Sequence, residues 1–249
     1  MKYSYDLHVH SCLSPCGDND MTPNNMVNMA ALLGCGILAV TDHNSCKNVP
    51  AAVKAGERAG VLVIPGMELC TSEEAHIVCL FSTVEGAMDF DSYVSKNTPE
   101  IANRPDIFGD QLIMDDNDEI TGKVEKLLIS SSFISVESVM ELVRKYGGTA
   151  FPAHINKDSY SIVASLGVVP ESAGFKAVEI TSSCDIEKFR LTNPEIDNKM
   201  ILTDSDAHYL ESFTENMGWV DLPEKSRDAL IALIGGNGTG EFSPFGAHI

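Results

Sequence analysis

Residues Tyr3-Ser-Tyr-Asp-Leu-His-Val-His10 decide how the rest of the chain is read. The run suits a β-strand, in which side chains repeat every two residues. His8 and His10 therefore point the same way from one end of a strand. Two adjacent imidazoles add little to the stability of a fold, whereas a divalent cation gains from both. The pattern raises the question of whether the rest of the sequence supplies further ligands.

Bulk properties narrow the field. A chain of 249 residues, 44% hydrophobic and 21% charged, is long enough to bury a sizeable core. Its formal charge of -19 argues against a protein that grips long nucleic acid, which needs a basic footprint. The same charge suits a small substrate and bound cations. Seven cysteines, an odd number scattered through apolar segments, read as reduced thiols. Cys12 and Cys16 lack a second pair at zinc-finger spacing, so a structural zinc is disfavoured. With no signal-peptide pattern and no apolar run of about 18 residues, the expectation is a cytoplasmic protein with no membrane partner.

Short apolar runs bounded by turn residues give candidate strands at Tyr3–Val9, Gly36–Thr41, Val61–Gly66, His76–Phe81, Gly148–Ala153, Ala177–Thr181 and Met200–Asp204. Helices are expected at Pro23–Leu33 behind Thr22, at Asn48–Ala59 and at Val136–Tyr146. Alternating strands and helices imply α/β architecture with parallel pairing, and about seven such units favour a barrel over an open sheet. Residues 85–130 break the rhythm and read as an insertion. Its acidic run Met114-Asp-Asp-Asn-Asp-Glu-Ile-Thr-Gly122 is expected to be an exposed loop or inserted lobe. One domain, 1–234, is followed by a Gly-rich, linker-like tail, 235–249.

The histidines are not scattered. His8, His10, His43, His76, His154 and His208 all fall within a residue or two of an expected strand end. Asp42, Glu68 and Asp206 accompany them. In a parallel barrel the carboxyl ends of the strands share one face, where active sites sit. His76 opens its strand rather than closing it, so either the boundary is misplaced or the strand runs against the others; a reversed strand or a local irregularity is expected. Taken singly, each histidine has an ordinary structural explanation; six gathered at one rim point to a polynuclear metal site. His248, in the tail, is assigned no role.

Together Asp6-Leu-His-Val-His-Ser11, Val40-Thr-Asp-His-Asn44, Pro65-Gly-Met-Glu68, His76, Pro152-Ala-His154 and Ser205-Asp-Ala-His208 resemble the PHP (polymerase and histidinol phosphatase) family of metal-dependent phosphoesterases. The likeness runs from Tyr3 to about Asp221 in the family's motif order. It implies a distorted (β/α)7 TIM-like barrel with two or three divalent ions at the C-terminal rim of the strands. His8, His10, His43, Glu68, His76, His154, Asp206 and His208 take the ligand positions. Mixed nitrogen and oxygen ligands suit zinc, manganese or iron. The family's further carboxylate, counted back from Pro23 along Ser14-Pro-Cys-Gly-Asp-Asn-Asp-Met-Thr-Pro23, falls on Asp18, with Asp20 as its competitor.

The implied activity is hydrolysis of a small phosphomonoester, a nucleotide or a short oligonucleotide through a metal-bridging hydroxide. Histidinol phosphate is a neighbouring option within the family. Glu68 would bridge two ions, and a metal-bound water, Asp206 or His208 would protonate the leaving group. Lys157 is a candidate phosphate contact. Asp6, Asp42 and Asp204 are candidates for orienting the ligand imidazoles. An amidohydrolase-type hydrolase and a non-catalytic metal-binding module remain as alternatives. Oligomeric state has no signal in the sequence.

Overall fold

A computed structural model describes residues 1–215 and 217–244. Its elements, in chain order, are β1 (Lys2–Val9), α1 (Pro23–Leu32), β2 (Ile37–Val40), α2 (Val49–Ala59), β3 (Leu62–Cys70), β4 (His76–Phe81) and α3 (Val84–Lys96). Then follow α4 (Pro105–Phe108), β5 (Leu112–Met114), β6 (Ile120–Lys123), α5 (Val136–Lys145), β7 (Gly148–Pro152) and α6 (Ile162–Leu166). The remainder comprises β8 (Ala177–Glu179), α7 (Ile186–Thr192), β9 (Met200–Leu202), β10 (Gly218–Asp221), α8 (Arg227–Ile234) and β11 (Glu241–Ser243). Thr22 caps α1 by accepting the N–H of Asn25, and Pro23 occupies its first turn, where a missing N–H costs nothing.

Seven strands form one sheet in the order β11-β10-β1-β2-β3-β4-β7, while β8 and β9 make a separate parallel pair. The pair lies between β7 and β1. Ile155 N–H, just past β7, bonds the Glu179 carbonyl, and His10 N–H bonds the carbonyl of Ala207, beyond β9. Apolar side chains from the sheet and from the pair meet in one buried cluster that includes Tyr5, Leu7, Ile37, Ile64, Leu80, Phe151, Ala177 and Leu202. A flat sheet could not bring these together; the strands curl around them. A second cluster joins the outward faces (Leu38, Val63, Ile77) to helical Met26, Val53 and Val139. The strands β2, β3, β4 and β7 thus bury both faces, as their near-continuous apolar composition requires, whereas β10, next to the sheet's edge, alternates buried and exposed residues.

β4 is antiparallel to both β3 and β7, so the strand that begins with His76 does run against its neighbours. β3 extends to Cys70, four residues beyond the Gly66 boundary read from sequence, because β4 supplies antiparallel partners from Gly66 to Cys70. Glu68 therefore sits within a strand, opposite Val78.

The β1–β2 pairing contains an irregularity. Asp6 pairs with Leu38 and Val9 with Val40, so Leu7 and His8 both face the single residue Ala39. Such a bulge reverses the alternation of side chains. Leu7 fills the apolar interior, Val9 joins the outer cluster, and His8 and His10 both enter the interior above Leu7.

Two segments differ from expectation. The acidic run of the insertion is docked instead of standing free. Asp118 accepts the Thr22 hydroxyl (2.6 Å) and Asn24 N–H (3.1 Å) at the start of α1, and Asp116 pairs with Lys54 and Arg58 of α2 (both 3.0 Å). Carboxylates crowded in sequence find donors on two helices. In the tail, Glu241–Ser243 pairs with β10 as an edge strand, so this part is not a loose linker. Residues 245–249, His248 among them, lie outside the described residues.

The docking contact is testable. Asp118→Ala removes a carboxylate from the positive end of α1 and leaves Asn24 N–H without its acceptor; the expected loss is about 1 kcal/mol of unfolding free energy. Urea denaturation measures it, and an unchanged midpoint would show that the insertion does not lean on this contact.

Candidate metal centre

The polar layer above the apolar interior is centred on Glu68. Alternation along β3 sends Met67 and Leu69 outward and Glu68 inward, where it is fully buried. Its oxygens meet ring nitrogens of five histidines: His8 Nε2 at 3.1 Å, His10 Nε2 at 3.4 Å, His43 Nδ1 at 2.8 Å, His76 Nδ1 at 2.9 Å and His154 Nε2 at 3.2 Å. Asp206 Oδ1 lies 3.5 Å from His8 Nε2 and 3.3 Å from His10 Nε2. His208 stacks on His10 with ring centroids 4.1 Å apart. All eight ligand positions implied by the sequence thus converge from distant parts of the chain.

Hydrogen bonds on the far side of the rings fix which nitrogen faces the centre. His8 Nδ1 is 2.8 Å from Glu179 Oε2, and a carboxylate oxygen can only accept, so Nδ1 carries the proton. His10 Nδ1 is 2.9 Å from Ser14 Oγ. That hydroxyl donates to Asp42 Oδ1 (2.7 Å) and also accepts His43 N–H (3.1 Å), which leaves it an acceptor toward His10. His208 Nδ1 donates to the backbone carbonyl of Asp206 (2.9 Å). In their neutral forms His8, His10 and His208 therefore each turn an Nε2 lone pair away from these bonds.

For His8 and His10 those lone pairs meet each other at 3.1 Å and meet the carboxylates of Glu68 and Asp206. Lone pair against lone pair is unfavourable unless a proton or a cation lies between. Separations of this size match the edges of a polyhedron with bonds of about 2.1 Å to a central ion. Three overlapping groups could each hold an ion: His8, His10 and Glu68; His43, Glu68 and His76; and His10, His43 and His208. Buried Glu68 Oε2, His43 Nδ1, His76 Nε2 and His154 Nδ1 have no hydrogen-bond partner. His43 Nδ1 and Glu68 Oε2 are close yet not aligned as donor and acceptor, as atoms aimed at a third point would be. The residues fit divalent ions.

Charge in the cluster follows from burial and neighbours. Burial would raise the pKa of Glu68, but the His76, His8 and His43 charges hold it well below the usual carboxylate range. Burial opposes a charge on His8, yet Glu179, Glu68 and Asp206 overcome it and its pKa is raised. His10 is lowered by burial and by His208 and His43 beside it. Burial would raise Asp206, and His8 and His10 reverse that strongly. A proton on His8 and a cation in its place are alternative answers to the same negative charge.

Backbone strain collects here. His154 (φ 31°) and Asp206 (φ 52°) occupy the left-handed region without being glycine. Such positions persist only where the surroundings hold them, and they cluster at functional sites. Gly17 has a different reason: a Cβ there would lie 2.6 Å from the Ser11 carbonyl, so only glycine lets the 11–22 loop fold back on itself.

Other expected residues take clear places. Lys157 Nζ lies 2.6 Å from Asp206 Oδ2 at the mouth of the site. Asp42 acts on His10 through Ser14, whereas Asp6 and Asp204 hold backbone: Asp6 accepts Ser205 N–H (3.1 Å) and Asp204 accepts Leu7 N–H (2.6 Å). Asp18 is tied to the site by its N–H, which bonds the His208 carbonyl (2.9 Å), but its carboxylate accepts Asp20 N–H (2.8 Å). Among the described residues, Asp18 and Asp20 belong to none of the three groups. Ser14 and Glu179 were missed from sequence. A glutamate inside the apolar run Ala177-Val-Glu-Ile180 was the available signal for the second.

The chain is similar to known proteins in sequence and in fold. A family model described as the PHP domain matches residues 6–161. The 5'-3' exoribonuclease Rnm of Salmonella typhimurium is 40% identical over 81 residues, which cover 30% of this chain and 27% of that protein. A 3',5'-nucleoside bisphosphate phosphatase of Chromobacterium violaceum is 34% identical over 73 residues, covering 29% of this chain and 25% of that protein. The chain spans about a quarter of the length of these curated relatives. In fold it resembles the lesion-specific endonuclease PfuEndoQ of Pyrococcus furiosus, with a TM-score of 0.73 at 17% identity over 97% of this chain and 58% of that one. Among the described residues, no helix is long and apolar enough to cross a membrane.

Loss of an outer partner of a ligand typically costs 10- to 100-fold in metal affinity. Ser14→Ala and Glu179→Gln are each expected to weaken zinc or manganese binding by about that factor while the circular dichroism spectrum is retained. Competition with a chelating dye reads the affinity; wild-type affinity in both variants would remove these residues from the support of the centre.

Proposed function

Since the chain belongs to the PHP domain family, we propose that it is a metal-dependent phosphoesterase acting on a small phosphomonoester, a nucleotide or the end of a short oligonucleotide. The observation that carries this reading is the convergence at His8 Nε2 and His10 Nε2, themselves 3.1 Å apart, of the Glu68 and Asp206 carboxylates, each within 3.5 Å of both nitrogens. The three overlapping groups suit two or three zinc, manganese or iron ions, held in a distorted (β/α)7 barrel made of β1–β4, β7 and the β8–β9 pair, to which β10 and β11 add antiparallel strands beside β1. Phosphoester hydrolysis is so slow unaided that charge neutralisation and an activated nucleophile are both required. Divalent ions bound here would neutralise phosphoryl charge and acidify water toward a pKa of about 7.

The chain's own groups divide the remaining work. Glu68 belongs to two of the groups and would hold an ion in either. Ser14 and Glu179 keep His10 and His8 in the tautomers that leave Nε2 free. Asp206, with Oδ1 3.5 Å from His8 Nε2 and 3.3 Å from His10 Nε2, is placed among the ligand atoms, which suits a ligand better than a proton donor. His208 has its Nδ1 proton committed to a carbonyl and takes a ligand role too. Protonation of the leaving group then falls to water at the open mouth. Lys157, beside Asp206 and 40% exposed at its side chain, contacts the phosphate. Asp18, on the loop bonded to His208, is the carboxylate we assign to a third ion in preference to exposed Asp20; this requires its side chain to leave Asp20 N–H.

Two of the relatives bear the names of nucleases, which leaves the expectation against long nucleic acid without their support. The charge of -19 and the single ion-paired lysine at the mouth still favour a short substrate. An amidohydrolase reading uses the same histidine pair, and substrate choice separates the two.

Metal-reconstituted protein assayed on an aryl phosphate, nucleotides, phosphodiesters, histidinol phosphate and amide substrates is expected to release phosphate and to leave amides intact. His10→Ala removes a ligand outright and is expected to lower the rate by more than the ~100-fold cost of losing an outer partner, with little change in fold. Near-native hydrolysis by this variant, or turnover of amides alone, would overturn the reading. Asp18→Asn is expected to reduce activity more than Asp20→Asn; the reverse order moves the assignment to Asp20.

A further inference from the structure

The cavity over the metal centre holds about 180 Å³ and is lined by His43, Glu68, Ile129, Lys157, Tyr160 and Asp206, among others. Sites that enclose a whole small ligand run to roughly 300–1,000 Å³. This one accommodates ions and a phosphoryl group, so the rest of a substrate must lie across its rim. Tyr160 is the aromatic residue of that lining. Its ring stacks on His76 with centroids 4.9 Å apart and planes at 28°, yet the residue is 46% exposed.

Tyr160 is also held in a costly conformation. Its φ of 54° is left-handed, a region that bulky residues rarely adopt. Its carbonyl accepts His76 N–H at 2.9 Å. The loop that carries it is pinned at both ends. Lys157 N–H bonds the His154 carbonyl (2.9 Å), and Ser161 donates its hydroxyl to the Lys157 carbonyl (2.7 Å) while capping α6. The stack on His76 and the bond to its N–H explain one face of the ring and the backbone strain, but packing does not explain the exposed remainder of the side chain beside a phosphate-sized cavity. Recognition of a flat ring does: base–aromatic stacking is worth about 1–3 kcal/mol and tolerates any base.

Resting on the phosphoesterase reading, we propose that the face of Tyr160 turned away from His76 stacks on the base of a nucleoside leaving group. The residue thereby sets a preference for nucleotides over aliphatic phosphates. A single platform at one rim binds one base and suits a mononucleotide or the terminal nucleotide of a short chain.

The test compares adenosine 5'-monophosphate with glycerol 3-phosphate on the metal-reconstituted full chain, for wild type, Tyr160→Ala and Tyr160→Phe. Tyr160→Ala is expected to raise KM for the nucleotide about 10- to 100-fold with kcat largely kept. It should leave glycerol phosphate kinetics and metal content unchanged, and Tyr160→Phe should behave as wild type. Equal losses on both substrates would mean that the ring only supports His76, and no change on either would remove the platform; both overturn the inference while the phosphoesterase reading stands. Should neither substrate be hydrolysed by wild type, the activity is judged by the wider substrate panel, and calorimetric binding of adenosine 5'-monophosphate judges the platform by itself. Binding weakened by Tyr160→Ala sustains it; absent or unchanged binding overturns it.

Discussion

One buried carboxylate, that of Glu68, with five imidazoles drawn to within 3.4 Å of it, is the constraint on which the rest of the structure depends. A carboxylate with no access to water is costly unless opposite charge and hydrogen bonds compensate it. The surrounding nitrogens supply hydrogen bonds at some positions and lone pairs at others. His8 and His10 cannot both give Nε2 protons to this centre while in their neutral forms, because Glu179 and Ser14 hold their protons on Nδ1. A cation bound among them would resolve the conflict, and would then contribute to the stability of this layer as well as to its chemistry.

The fold devices near the site deliver these groups. The bulge in β1 lets Leu7 seal the apolar interior while His8 and His10 still face the centre. Reversal of β4 brings the amino end of a strand, and with it His76, to the rim where β3 presents Glu68. Left-handed backbone at His154 and Asp206 turns two further side chains inward. The insertion reaches the same region: Asn44 donates to the Leu128 and Ser130 carbonyls, and Asn48 bonds both Ser11 and the backbone of β5. Segments that the sequence separates are thus fastened to the loops carrying the ligands.

Much of this was legible beforehand because ligand chemistry is local in sequence. The pair His8-Val-His10 and the triplet Asp206-Ala-His208 carry their own geometry, and His76 at the head of its strand left reversal of β4 as one of the readings that the antiparallel pairing decides. What escaped has a physical cause in each case. A bulge leaves no signature in an eight-residue run, since either alternation of Tyr3–His10 looks acceptable. Ser14 and Glu179 act through hydrogen bonds that exist only after β1, the 11–22 loop and β8 come together. The acidic run at 114–119 reads as solvated until α1 and α2 offer it a helix start and two cations. The strand at Glu241–Ser243 was hidden by the glycines before it.

Anomalous diffraction from crystals of the protein reconstituted with zinc or manganese tests the central claim most directly. The account predicts ion peaks between Glu68 and the Nε2 atoms of His8 and His10, with Glu68 shared by a neighbouring ion on the His43 and His76 side. A centre without bound ions, or ions held only elsewhere, as at Cys12 and Cys16 or along residues 115–119, would contradict it.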